Sequence, residues 1–276
     1  MTTNHHEVVV MAEYLENKKI VQANSLVRQT SWTLNLTPLK LFKACVSAID
    51  TSNPPKDNTV VMHKSDLIQL LEIGKKQNYV YLKNQLRSLI TSVKIEEDDK
   101  HERYCALVND IYWEKDSDIV KIEFHKAVMP YLVELHSRFL EYPAELIPSF
   151  DSKYGLIIYE SLLSNWKQYA DSNEFTYDVD TLRYITGTEK LYERWGNFEE
   201  RVLKTAVENI NHIQGEFLVK YEKIRHGRTI EKILFRLVPR TSWKQTTYEE
   251  AALALASKVN NKKDDTSDEE GDIYPW

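Results

Sequence analysis

The 276-residue chain has only two cysteines, Cys45 and Cys105, and they are isolated. That excludes a disulfide framework and every paired-cysteine zinc spacing. Both are expected to serve as small buried apolar residues. No apolar run approaches the ~20 residues that a membrane span needs. The N-terminal "MTTNHHEVVVMAEYLENKK" lacks the basic and apolar regions of a secretory signal, so a cytoplasmic protein without membrane contact is expected. There is no G-x-x-x-x-G-K-[ST] phosphate loop, and hence no ATPase of that kind. Histidines are poorly placed for metal: His5 and His6 are adjacent, and "HERYC" offers only His101 and Cys105. A rolling-circle enzyme would need a spaced histidine cluster beside a nucleophilic tyrosine, and sixteen tyrosines make that last element uninformative. The expectation is a non-enzymatic protein with no cofactor and no metal.

What is present is globular: 42% of residues are hydrophobic, in a chain long enough for two domains. The net charge of −6 argues at first against nucleic acid. It is unevenly spread, because Glu249 to Trp276 holds eight acidic and three basic residues, a net of −5. The body is therefore close to neutral and free to carry a local basic patch. Within the tail, "TYEEAALALASKV" suggests a short helix, "NNKKDDTSDEEGD" has the composition of a disordered segment, and "IYPW" closes the chain.

The body states one pattern twice. In the second telling, "DSKYGLIIYESLLSNWKQYA" reads as a helix capped by Asp151 or Ser152. "EFTYDV" is a strand, and "DVDTLRYITGT" a short helix stopped near Gly187. "RWGNFEERVLKTAVENINHIQ" is a longer helix striped by Phe198, Val202, Ala206, Ile210 and Ile213. "KYEKIRHGRTIEKILFRL" follows as a hairpin turning at Gly227. In the first telling, "LTPLKLFKACVSAID" is a helix with Thr37 as cap and Pro38 at its start. "NTVVMHK" is a strand and "SDLIQLLEIG" a helix capped by Ser65 and ended at Gly74. "QNYVYLKNQLRSLITSV" is a longer helix striped by Leu82, Leu86, Leu89 and Val93, and a strand-rich stretch runs from Val93 to Phe124. Helix, strand, helix, helix, hairpin is the order of a winged helix, so the fold class is α+β, two tandem winged-helix domains forming an internal pseudo-repeat. The expected divisions are an N-terminal segment, 1–20, a first domain, 21–147, a second, 148–244, and an acidic tail, 245–276. The proline-punctuated stretch around Pro130, Pro143 and Pro148 reads as the connection.

The second helix of such a unit can enter a DNA major groove, and its wing can meet phosphates. The non-apolar face of the second long helix carries Arg194, Asn197, Arg201 and Lys204. Arg suits guanine and Asn adenine, so Arg194, Asn197 and Arg201 are assigned to bases. Lys204 and the wing residues Lys223, Arg225 and Arg228 are assigned to phosphate. The plainer alternative is pairing on the helix itself. It is strongest for Lys204, with Glu200 and Glu208 four residues to either side. In the first domain the corresponding residues are Lys76, Asn78, Lys83 and Arg87. The acidic "EEDDK" in its strand-rich stretch would repel phosphate, which suggests weaker DNA binding or a role in dimerisation. Trp113, Trp166 and Trp195 are expected to pack, not to stack on bases.

The run from Phe124 to Arg240, with "SKYGLIIYE", the F-x-x-R-V-L opening of the long helix and the "GR" wing in order, resembles the plasmid replication initiators of the iteron-binding Rep superfamily. The first half resembles them more loosely, through "SLVRQTSWTLNLTPLKLF". The resemblance implies a sequence-specific protein that binds repeated sites in double-stranded plasmid origin DNA and promotes melting. It also implies recruitment of a host initiator and the replicative helicase or its loader, a monomer–dimer equilibrium, and autorepression as a dimer. Two other classes remain: a two-domain winged-helix transcription regulator, and a module whose winged helices bind proteins.

Overall fold

The computed structural model describes residues 15–240 except 72–77, 99, 134, 136, 137 and 170; the side chain of residue 78 is also left out. The expectations for His5 and His6, Gly74, Lys76 and the tail therefore lie outside the described residues. Among the described residues no helix is long and apolar enough to cross a membrane.

Among the described residues, elements that hydrophobic periodicity did not reveal stand ahead of the first winged helix. β1 (Lys19–Ala23), α1 (Asn24–Gln29) and β2 (Thr30–Ser31) precede the first winged helix. That unit contains α2 (Leu36–Ser47), β3 (Thr59–His63), α3 (Lys64–Leu70) and α4 (Asn78–Arg87). The stripe Leu82, Leu86 and Leu89 is buried as expected, but Val93 is not helical. A 3₁₀ turn, Ser88–Ile90, ends the helix, and β4 (Ser92–Asp98) begins directly after it.

The strand-rich stretch is two hairpins, not one. β4 pairs with β5 (His101–Ala106) and with β2, whereas β6 (Val108–Trp113) pairs with β7 (Ile119–Phe124). The wing is the second of these, because β7 also pairs with β3. The acidic segment thus belongs to an additional hairpin inserted before the wing. Its charges are largely paired within the hairpin: Lys94 binds Glu96 and Glu102, Arg103 binds Glu97, and His101 contacts Asp98.

The connection between domains also contains more regular structure than its prolines suggest. β8 (Phe139–Pro143) closes an antiparallel pair with β1, in which Val21 faces Glu141. The second winged helix then runs α5 (Lys153–Gln168), β9 (Glu174–Asp178), α6 (Val179–Ile185), a long helix over 195–212, β10 (Phe217–His226) and β11 (Thr229–Pro239). Its sheet order, β10-β11-β9, repeats the β6-β7-β3 order of the first domain. Cys45 and Cys105 are both free and buried. Trp113, Trp166 and Trp195 are partly buried against the core.

The helix starts differ in how they satisfy their free N–H groups. The α5 start is as expected: Ser152 Oγ accepts from the backbone N–H groups of Tyr154 and Gly155. Ser152→Ala is expected to cost about 1 kcal/mol, seen as a lower denaturation midpoint of the full chain; an unchanged midpoint would refute this cap. The α2 start is two residues earlier than expected, with Asn35 and not Thr37 as N-cap and no side-chain cap. Pro38 remains inside the first turn, where no N–H is needed. At α3 the N-cap is His63, without a side-chain cap, and the expected cap Ser65 lies inside the first turn. Asp118, in the turn between β6 and β7 at the tip of the first wing, accepts from both the backbone N–H and the hydroxyl of Ser65.

The two domains are docked on each other. Their buried apolar residues form one contiguous cluster. Trp32 N–H donates to Ile185 O at 3.1 Å, and Tyr184 OH donates to Gln29 O at 3.1 Å. At the centre of the contact, helix α5 contributes Glu160 to a buried polar cluster with Gln22, Lys43 and Tyr142.

Candidate nucleic-acid interface

The long helix of the second domain is not uniform. It starts as α7 (Trp195–Phe198), widens into a π-helical turn, Glu199–Lys204, and continues as α8 (Thr205–His212). Phe198, Val202, Ala206 and Ile210 lie four residues apart and are all fully buried. An α-helix turns about 400° in four residues, so such a stripe would drift by about 40° per step. The wider π turn takes that drift back and keeps the stripe on the core. Thr205 Oγ1 donates to Glu200 O at 3.1 Å, one side-chain bond that suits the widened turn. π-turns of this kind recur at functional sites.

The opposite face presents the residues assigned from the sequence. Arg194, the N-cap, is exposed, as are Asn197, Arg201 and Lys204. Arg201 lies 5.7 Å from the centre of the Tyr192 ring and has no carboxylate partner among the described residues. Lys204 is paired with Glu200 at 2.6 Å, which raises its pKa. The pairing weighed in the sequence is therefore present for Lys204 and not for Arg201.

Arg183, which sequence reasoning missed, fixes the turn before this helix. Its guanidinium donates to the carbonyls of Leu191 and Tyr192 at 3.0 and 3.1 Å and lies 4.3 Å from the Phe198 ring centre. Burial lowers its pKa. The one available signal was its place in the last turn of α6, the element preceding the turn.

The wing brings a second set of cations to the same region. Gly227, with φ +61°, and Arg228 form the two-residue turn, the position at which a tight hairpin needs glycine. A bulge between Ile224 and Arg225 shifts the register just before the tip. Arg225 and Arg228 then line a groove of about 700 Å³ together with Arg183 and Trp195. Asp180 and Glu231 line it too, so the groove is of mixed charge. Lys223 does not join these tip cations: it is paired with Glu199 of the long helix at 2.8 Å. Burial pushes the Glu199 carboxyl up, but hydrogen bonds from Lys223, Tyr221 and Trp195 outweigh it and hold the group below its ordinary range.

In the first domain Lys83 and Arg87 are exposed on α4, and Asn78 opens that helix. Lys83 lies 5.6 Å from the Trp113 ring centre. Lys64, buried, sits on the same ring at 4.4 Å and donates to the carbonyls of Glu114 and Ser117. Trp113 thus fastens the first wing to α3 and α4.

The fold and surface define a paired winged-helix protein whose second unit gathers cations from a helix and a wing. The chain belongs to the initiator replication protein family. The family's first winged-helix domain matches residues 19–164 and its second matches 178–237. A replication initiation protein of Escherichia coli is 24% identical over 202 residues, covering 72% of this chain and 63% of that protein. The chain therefore spans less than two thirds of that relative's length. A crystal structure of the Pi initiator protein in complex with iteron DNA has the same fold, at 20% identity and a TM-score of 0.67, covering 82% of this chain and 99% of that one.

Proposed function

We propose that this protein initiates plasmid replication by binding repeated sites in double-stranded origin DNA, acting without catalysis of its own in the cytoplasm. The observation that carries the reading is the surface shared by the 195–212 helix and the wing, in a member of an initiator family. Arg194, Asn197 and Arg201 are exposed on the helix, and Arg225 and Arg228 on the wing. Arg194, Asn197 and Arg201 read bases; Arg225, Arg228 and Lys204 meet phosphates. Lys76, Asn78, Lys83 and Arg87 of the first domain contact a second stretch of the same site. Binding at several repeats deforms the adjacent duplex and presents a surface for a host initiator and the replicative helicase or its loader. A monomer–dimer equilibrium divides the protein between initiation and repression of its own gene.

Footprinting the DNA that flanks the coding sequence, across a salt series, tests this. Protection at evenly spaced direct repeats is expected, weakening as salt rises. Arg201→Ala is expected to reduce specific affinity by roughly 5- to 150-fold, the loss of one good base contact. Protection confined to one inverted repeat would favour a transcription regulator. Absence of any protection would refute the DNA-binding reading.

A further inference from the structure

Glu199 joins the long helix and the wing through one carboxylate with three donors. Its side chain is only 15% exposed. Oε2 accepts from the indole N–H of Trp195 at 2.9 Å, and Oε1 accepts from the Tyr221 hydroxyl at 3.0 Å and the Lys223 ammonium at 2.8 Å. Trp195 opens the long helix. Tyr221 and Lys223, two residues apart on β10, point to the same side of the wing. Isolated surface ion pairs contribute little. A largely buried carboxylate with three donors, two of them from another element, is a stronger constraint.

Its place in the chain ties that constraint to recognition. Glu199 is the first residue of the π turn that contains Arg201 and Lys204, so a shift there rotates both side chains. On the wing, the bulge between Ile224 and Arg225 begins one residue beyond Lys223 and re-aims the strand. Arg225 and Arg228 then face the groove that Trp195 also lines. An acidic residue against a DNA-facing surface would repel phosphate unless its charge were already neutralised, and Lys223 neutralises it.

We propose that Glu199 is a positioning residue for DNA recognition, which sets the wing against the base-reading helix, with Lys223 as its strut and not as a phosphate contact. This rests on the DNA-binding reading above, and it revises the role of Lys223.

The test uses the full chain and two labelled duplexes of equal length, one carrying the flanking repeats and one with their sequence scrambled, over a salt series. Glu199→Ala is expected to weaken binding to the repeats about tenfold, the scale of one mismatched base pair. Binding to the scrambled duplex and the salt slope should stay unchanged. Glu199→Gln keeps an acceptor oxygen and should fall between wild type and alanine. Lys223→Met should follow the Glu199→Ala pattern. Arg225→Ala, in contrast, should weaken both duplexes and flatten the slope by about 0.9. The proposal is overturned if Glu199→Ala binds the repeats like wild type. It is overturned equally if that variant binds more tightly with a steeper slope, since Glu199 would then only mask Lys223. An equal loss on both duplexes with a lowered melting temperature would overturn it in favour of a purely structural role. Failure of the wild-type chain to distinguish the two duplexes would instead remove the DNA reading, before any variant is compared.

Discussion

Lys43→Met is expected to destabilise the full chain by about 3–5 kcal/mol, the scale for breaking one side of a buried ion pair. Lys43 and Glu160 are 0% and 1% exposed and 2.8 Å apart. Every partner comes from a different element. Lys43 on α2 also donates to Gln22 on β1, while Glu160 on α5 accepts from Gln22 and from Tyr142 on β8. The ammonium lies 4.8 Å from the Trp32 ring centre as well. Burial lowers the Lys43 pKa and Glu160 opposes that shift. Removing the ammonium leaves a carboxylate in the core facing two neutral donors. Replacing both charges, as Lys43→Met with Glu160→Met, should recover most of the loss, because the desolvation of two ions is then avoided. Urea denaturation followed by tryptophan fluorescence would measure both variants beside wild type. A Lys43→Met midpoint equal to wild type would refute the argument. A double variant no better than the single one would show that the hydrogen bonds of Gln22 and Tyr142, not the charges, dominate.

The same cluster shows why sequence pattern stops where it does. Lys43 falls among Leu39, Phe42 and Val46 on the apolar face of α2, and Glu160 falls inside "GLIIYESLL". A charge on an apolar stripe was visible at both positions. Its meaning depended on partners up to 138 residues apart, and periodicity reports only the face of one element. The pairing of β1 with β8 was hidden for the same reason. The two short strands meet only because the fold returns the chain, and the prolines around β8 read locally as a linker.

Where the signal was local, the reading held. The second winged helix was legible through its Ser152 cap, its α6 stop at Gly187, its four-residue stripe and its glycine turn. The stripe even contained the π turn, since a repeat of exact fours does not fit 3.6 residues per turn. The first domain was less legible, because two successive hairpins have the same alternation as one longer strand region. Only the pairing of β7 with β3 identifies the wing. For the interface, types and exposure of the cations were readable, but partnership was not: Lys223 and Arg225 look alike in "KYEKIRHGR", yet one is held by Glu199 and the other lines the groove.

Gly187→Ala is expected to have the second large effect, and to act on the docking of the domains before the fold of either one. Gly187 ends α6 in the left-handed region, with φ +62°. Its N–H donates to Tyr184 O, and the next N–H, of Thr188, donates to Arg183 O, which closes the helix end. An L-residue in that conformation costs about 1–2 kcal/mol. A Cβ there would also lie 2.6 Å from Trp32 O and 3.0 Å from Trp32 C. These are backbone atoms of the other domain, held by the bond from Trp32 N–H to Ile185 O, so no rotamer change relieves the contact. The domains must separate locally, which loosens the Tyr184 bond to Gln29 O as well. A total loss of about 3 kcal/mol is expected once overpacking is added to the backbone term. Hydrogen exchange should locate it, with faster exchange at Trp32 and along α6 and little change at the α5–α8 packing. If each domain reads its own part of one site, Gly187→Ala should also tolerate altered spacing between those parts better than wild type, though it binds the natural spacing less tightly. Unchanged exchange at Trp32 would show that the interface yields without cost, and the rigid docking argued from this glycine would be wrong.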